Sequence, residues 1–131
     1  MGYILVTDDD AVVRKHLRLI LEGAGYQVKE AADGNTTLKL WRQEPADIII
    51  LDLIMPEKEG IETLMELKQA VSDVKVIAIS GGIKGQADVL LTVAGDLGAL
   101  RTFKKPLDSA ELLRAVKELL ESENREVRSE K

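Results

Sequence analysis

Three consecutive aspartates (Asp8, Asp9 and Asp10), a single Asp52, a Ser80 and the neighbouring Lys104 and Lys105 each follow a short apolar run. Carboxylates gathered at one place repel one another and resist ionising together unless a cation neutralises them. Hard oxygen donors of this kind suit Mg²⁺. That ion keeps octahedral geometry and several waters, so one or two carboxylates suffice to hold it and a position remains for a phosphoryl oxygen. A carboxylate beside it can attack phosphorus and form an aspartyl phosphate, while the metal, a lysine and a hydroxyl balance the charge on the phosphoryl oxygens. The side chains needed for that chemistry are all present, provided the chain brings them together.

The pattern of the chain supplies a reason that it should. Residues 3–7 form a β-rich apolar run, after which Val12, Val13, Leu17, Ile20 and Leu21 recur at helical spacing as far as Gly23 and Gly25. Residues 26–31 start a second unit, with Asp33 and Gly34 before a helical stretch containing Leu38 and Trp41 that Pro45 closes. Ile48, Ile49, Ile50 and Leu51 run without polar alternation, as in a parallel strand covered on both faces. Ile61, Leu64, Met65 and Leu67 then give a helical stripe. A fourth strand over 74–79 stops at Ser80, Gly81 and Gly82, and 87–97 is compatible with a helix whose apolar face is broad. A weak fifth strand over 102–104 ends at Pro106, and Asp108 caps a helix with Leu112, Leu113, Val116, Leu119 and Leu120 on one side. Five βα units predict a doubly wound α/β domain, because right-handed crossovers place helices on both faces of a parallel sheet. Ligands of such sheets bind beyond the carboxyl ends of the strands, where every one of the polar residues above falls.

Composition bounds the function. The 131 residues are 45% apolar, enough for one core and one domain. Eighteen Lys and Arg against 23 Asp and Glu leave a net charge of -5, so no basic field is available for a nucleic-acid backbone. Cysteine is absent, which removes disulfides, thiolate nucleophiles and thiolate metal sites. No apolar run is long enough for a bilayer and no basic, apolar leader opens the chain, so a cytoplasmic protein without a membrane partner is expected.

Four segments, in this order, resemble the motifs of the receiver domain of two-component response regulators. They are Ile4-Leu5-Val6-Thr7-Asp8-Asp9-Asp10, then Ile50-Leu51-Asp52-Leu53-Ile54-Met55-Pro56 with Gly60, then Ile79-Ser80-Gly81, and Lys105-Pro106. The likeness covers 1–122, leaving 123–131 as a charged tail or an extension of the last helix. It implies a flavodoxin-like (βα)₅ sandwich with a parallel sheet of order 2-1-3-4-5. It further implies that Asp52 is the phosphoacceptor and that Asp8, Asp9, Asp52 and the carbonyl of Ile54 hold Mg²⁺, with Mn²⁺ able to substitute. Ser80 and Lys105 would contact the phosphoryl group, Gly81 would leave room for it, and Pro106 would aim Lys105, in many relatives through a cis bond. The implied partners are a histidine kinase or a histidine phosphotransfer protein and a downstream effector. Phosphorylation would change partner binding through the face of the fourth helix, fifth strand and fifth helix, in a monomer or a phosphorylation-dependent homodimer. Self-phosphorylation from a phosphodonor and slow autodephosphorylation are expected, without turnover of an external substrate. A chain of this length would act through another protein or by self-association, unless it is a fragment of a longer regulator.

Some positions depart from the family pattern. Three residues before Lys105, where many receivers have Tyr or Phe, stands Thr102; Phe103 follows and, by strand alternation, is expected to face the core instead. Ile54 and Gly82 lie two residues after Asp52 and Ser80 and cannot orient an attacking water, which predicts a long-lived phosphoryl group. Asp10 is expected to cap the first helix, His16 and Lys104 to be exposed, and Trp41 to pack beside Leu38. Two other functions compete. A pseudo-receiver that binds partners without phosphorylation is kept alive by Thr102. A phosphohydrolase of the haloacid-dehalogenase type needs a second acid two residues after the nucleophile, where Asp52 is followed by Ile54. Nor does the spacing of Gly81, Gly82 and Gly85 match a nucleotide-binding loop.

Overall fold

Side-chain alternation along five short strands divides the apolar residues between two cores. In the computed structural model, residues 2–54, 60–70, 73–81 and 86–129 are described, with the backbone alone for 86, 87 and 122–129. The elements alternate as β1 (Ile4–Thr7), α1 (Ala11–Gly23), β2 (Val28–Ala31), α2 (Gly34–Gln43), β3 (Ile48–Asp52), α3 (Gly60–Ala70), β4 (Val76–Ser80), α4 (Gln86–Asp96), β5 (Arg101–Lys104) and α5 (Ser109–Ser129). All five strands are parallel, in the order β2-β1-β3-β4-β5. Leu5, Ile49, Leu51, Val76 and Ala78 face one side and pack with Leu38 of α2, Leu64 and Leu67 of α3, and Leu91 and Ala94 of α4. Ile4, Val6, Ile48, Ile50, Ile77 and Ile79 face the other, with Leu17 and Leu21 of α1 and Leu112, Val116 and Leu119 of α5. The unbroken apolar run of β3 is explained by this arrangement, since it is covered from both sides.

Helix starts are fixed by aspartates. Asp10 Oδ1 accepts from Val12 N at 2.9 Å, Asp33 Oδ1 from Thr36 N at 2.7 Å, and Asp108 Oδ1 from Ala110 N and Glu111 N at 2.9 and 3.1 Å. Each cap is worth about 1 kcal/mol. The strand order reverses between β1 and β3, so the turns after these two strands open the crevice at the carboxyl end of the sheet.

Local boundaries differ from the sequence reading in instructive ways. β2 begins at Val28 rather than at residue 26, because Tyr26 N is still bonded to Leu21 O at the end of α1. Val12 and Met65 obey helical spacing yet are 76% and 44% exposed, each lying beside the buried stripe and not in it. The chain beyond Ser122 continues α5 as far as Ser129.

Candidate functional site

The acidic turn follows β1. Asp8 is fully buried, its N–H donating to Ala31 O at 3.2 Å and its Oδ1 accepting from Asp10 N at 2.9 Å. Asp9 is exposed, so it projects toward the mouth of the crevice. Across the reversal point Asp52 ends β3, 3% exposed, with Oδ1 accepting from Ile54 N at 3.2 Å. One carboxylate oxygen from each of Asp8, Asp9 and Asp52 lies within 4.8 Å of the others.

Two residues from the last strands complete the cluster. Lys105 Nζ is 2.8 Å from Asp8 Oδ2 and 3.6 Å from Asp52 Oδ2. Its backbone is tied to β4, with Lys105 N donating to Ser80 O at 2.9 Å, and the Lys105-Pro106 bond is cis. Ser80 is fully buried, and its Oγ has no hydrogen-bond partner among the described residues. A hydroxyl in that condition costs stability unless something else occupies its reach. Gly81 lies over the stem of Lys105, where a Cβ would come within 3.1 Å of Lys105 Cβ and Cδ. Gly60 is more restricted: a Cβ there would fall 2.2 Å from Asp52 O, and Gly60 N donates to Leu53 O at 3.1 Å.

Electrostatics follow from the crowding. Burial, then the neighbouring charge of Asp8, push the Asp52 carboxyl up to about 7, against the pull of Lys105 and the Ile54 N–H. Lys105 is raised despite its burial by its bonds to Asp8 and by the charge of Asp52. One ammonium therefore offsets only part of the charge of three carboxylates. The donor set fits a hard divalent cation, since it offers oxygens, a buried negative surplus and one exposed ligand at the opening. The unpartnered Ser80 Oγ fits an incoming anion such as a phosphoryl group.

Other positions fall as follows. Asp10 caps α1, His16 and Lys104 are exposed, and Lys104 pairs with Asp88 at 2.7 Å. Thr102 is exposed beside Ala78 on the α4 side of the sheet, whereas Phe103 is half-buried against the core of α1 and α5. Trp41 packs with the core that contains Leu38. Ile54 is exposed at the site's edge, while Met55, Pro56, Gly82 and the rest of 82–85 lie outside the described residues. Sequence reasoning missed Arg14, whose Nη1 donates to Asp8 O at 2.7 Å, and the buried hydroxyl pair of Thr7 and Thr37 behind the acidic turn. Neither has a local spacing signal, because their partners are far along the chain or are backbone atoms.

The sequence and the fold both have relatives among known proteins. Residues 4–117 match the family model described as the response regulator receiver domain. Sporulation initiation phosphotransferase F of Bacillus subtilis is 34% identical over 117 residues, covering 89% of this chain and 92% of that protein. Response regulator MprA of Mycolicibacterium vanbaalenii is 36% identical over 118 residues, covering 89% of this chain but 49% of that protein, so the chain spans about half its length. Among solved structures, a CheY-like response regulator receiver domain protein from Methanospirillum hungatei superposes with a TM-score of 0.85 at 28% identity, over 96% of this chain and 98% of that one. The chain belongs to the response regulator receiver domain family, with the flavodoxin-like fold of that class.

Proposed function

We propose that the protein is a phosphorylation-dependent switch in which Asp52 accepts a phosphoryl group from the phosphohistidine of a histidine kinase or phosphotransfer protein. The observation that carries this reading is the placement of Asp52: 3.6 Å from Lys105 Nζ, beside the carboxylates of Asp8 and Asp9, at the end of the central strand. A carboxylate oxygen of Asp52 forms the new P–O bond as the P–N bond of the donor breaks. The electron pair of the broken bond stays on the imidazole, which leaves neutral when its second nitrogen carries a proton. Asp8, Asp9, Asp52 and the Ile54 carbonyl would hold Mg²⁺, which would neutralise charge developing on the phosphoryl oxygens. Lys105 exchanges its bond to Asp8 for one to the phosphoryl group, and Ser80 gains the acceptor it lacks. Residues 1–122 form the receiver unit, and 123–129 extend α5.

Movement of Ser80 passes to α4 and to β5, whose Lys104 is paired with Asp88 in the first turn of α4. The face of α4, β5 and α5 is then the output surface, for an effector or a second copy. The donor meets the site from the other side, where Val12, Val13, His16, Leu17, Pro106 and Leu107 line an apolar groove next to Lys105. Ile54 carries no group to orient an attacking water, so the phosphoryl group outlives that of an Ile54→Asn variant.

The test is intact mass after incubation with Mg²⁺ and acetyl phosphate. A single phosphoryl adduct that requires the cation and is absent from Asp52→Asn supports the switch. No adduct, together with no binding of Mg²⁺ or beryllofluoride, favours the phosphorylation-independent pseudo-receiver. Turnover of a generic phosphomonoester favours a hydrolase.

A further inference from the structure

A turn that presents two carboxylates to one cation must be held at its backbone, or the ligands scatter. Asp8 N is bonded to Ala31 O, Asp10 N to Asp8 Oδ1, and Asp10 O to Arg14 N at 3.0 Å. The remaining anchor is a side chain: Arg14 Nη1 donates to Asp8 O at 2.7 Å. Asp8 C=O and Asp9 N–H share one peptide plane, so the guanidinium sets the plane from which Asp9 departs. Arg14 is itself held from β2. Its Nε donates to Glu30 Oε1 at 3.1 Å, and the other oxygen of Glu30 accepts from Arg18 Nη1 at 2.8 Å. The Arg14 side chain is 17% exposed, which limits solvent competition for these bonds.

We propose that Arg14, braced by Glu30, is a positioning residue for divalent-cation binding by Asp8 and Asp9, a role that rests on the reading of Asp8, Asp9 and Asp52 as the cation site. Two donors on one planar fork reach the Asp8 carbonyl and the Glu30 carboxylate together, which a lysine ammonium on a flexible stem does not reproduce. Coulomb's law alone gives the opposite sign for removing Arg14. Loss of a positive charge near three carboxylates strengthens attraction for a cation, whereas loss of an anchor weakens binding. The direction of the change therefore separates the two effects.

The experiment titrates the full chain with Mn²⁺, reading free ion by electron paramagnetic resonance, with urea unfolding of each variant alongside. Wild type binds one ion, weakly in Asp52→Asn. Arg14→Met and Arg14→Lys each lose about 10-fold in affinity, the lower end of the effect of removing a residue that orients a ligand. Arg18→Met removes the same charge from the same network without touching the turn, and it lowers stability while leaving affinity within 2-fold. Arg14→Lys keeps the charge, so its loss of affinity carries no Coulomb contribution, and it serves if Arg14→Met does not fold. Unchanged or tighter binding by Arg14→Met overturns the positioning role. Absence of stoichiometric Mn²⁺ binding by wild type overturns the cation site itself, and the role of Arg14 with it.

Discussion

Lys105 lies closer to Asp8 than to Asp52: its Nζ is 2.8 Å from Asp8 Oδ2 and 3.6 Å from Asp52 Oδ2. On the proposed reading, the lysine pairs mainly with Asp8 before phosphorylation and turns to the phosphoryl group after it. Lys105→Met removes that charge, and phosphorylation from acetyl phosphate slows by about 10- to 100-fold at saturating Mg²⁺, as for loss of a group that stabilises transition-state charge. Lys105→Arg does not restore the rate, since a planar guanidinium does not reproduce the compact point charge that sits 2.8 Å from Asp8 Oδ2. A time course of intact mass measures both.

The raised Asp52 carboxyl makes stability and cation binding depend on pH in a defined direction. Free aspartate ionises near its ordinary value of 3.8, whereas folded Asp52 holds its proton up to about 7. Between these values the folded state binds more protons than the unfolded, so this group's contribution to stability falls as pH rises and is fully lost above 7. In the absence of divalent cation, Asp52→Asn is more stable than wild type at pH 8 by on the order of 1–2 kcal/mol after allowance for screening at the mouth, and the gain shrinks toward pH 4. Apparent Mg²⁺ affinity falls about 10-fold per pH unit below 7, because the proton on Asp52 must leave, and is flat above it. Urea melts and calorimetric titrations across pH 5–8 check these slopes.

Ser80 holds a fully buried hydroxyl that has no partner among the described residues. Ser80→Ala removes no hydrogen bond from the unphosphorylated state, so its urea midpoint stays within the equivalent of about 0.5 kcal/mol or rises. Wild type gains stability when Mg²⁺ and beryllofluoride are added, and the variant gains at least about 1 kcal/mol less, the net worth of a charge-assisted bond. Equal gains in the two proteins contradict the assignment of Ser80 to the phosphoryl group.

Two glycines differ in what surrounds them. A methyl at Gly60 meets Asp52 O at 2.2 Å and Leu53 Cα at 2.5 Å, both backbone atoms that cannot step aside cheaply, whereas Gly23 has nothing within 4 Å. Gly60→Ala is destabilising by about 2 kcal/mol or more and, on the proposed reading, disturbs phosphorylation, because the atoms displaced belong to Asp52 and Leu53. Gly23→Ala, in the last turn of α1, is stabilising by up to about 1 kcal/mol. Thermal and urea unfolding of the two variants read the contrast.

Much of the site was legible because doubly wound folds gather strand ends, and Asp8, Asp52, Ser80 and Lys105 all stand where an apolar run stops. β3 was plain because both its faces are buried. α4 was blurred for a physical reason: Leu91 and Ala94 face the core, but Val89 and Val93 are 63% and 38% exposed, so apolar residues ring the helix. β5 was weak because only Phe103 and the stem of Arg101 turn inward on an edge strand. Arg14 and Glu30 were invisible, since an ion pair between α1 and β2 has no fixed spacing in the chain. The orphan state of Ser80 Oγ is likewise a property of packing that composition and periodicity do not carry.

The central claim is that the phosphoryl group is borne by Asp52. After phosphorylation with Mg²⁺ and acetyl phosphate, borohydride reduction converts an aspartyl phosphate to homoserine, and fragmentation of the digested peptides locates it. Homoserine at position 52 alone, dependent on the cation, is the result expected. Homoserine at another aspartate, or a phosphoryl adduct that resists reduction and maps to His16, would contradict the account.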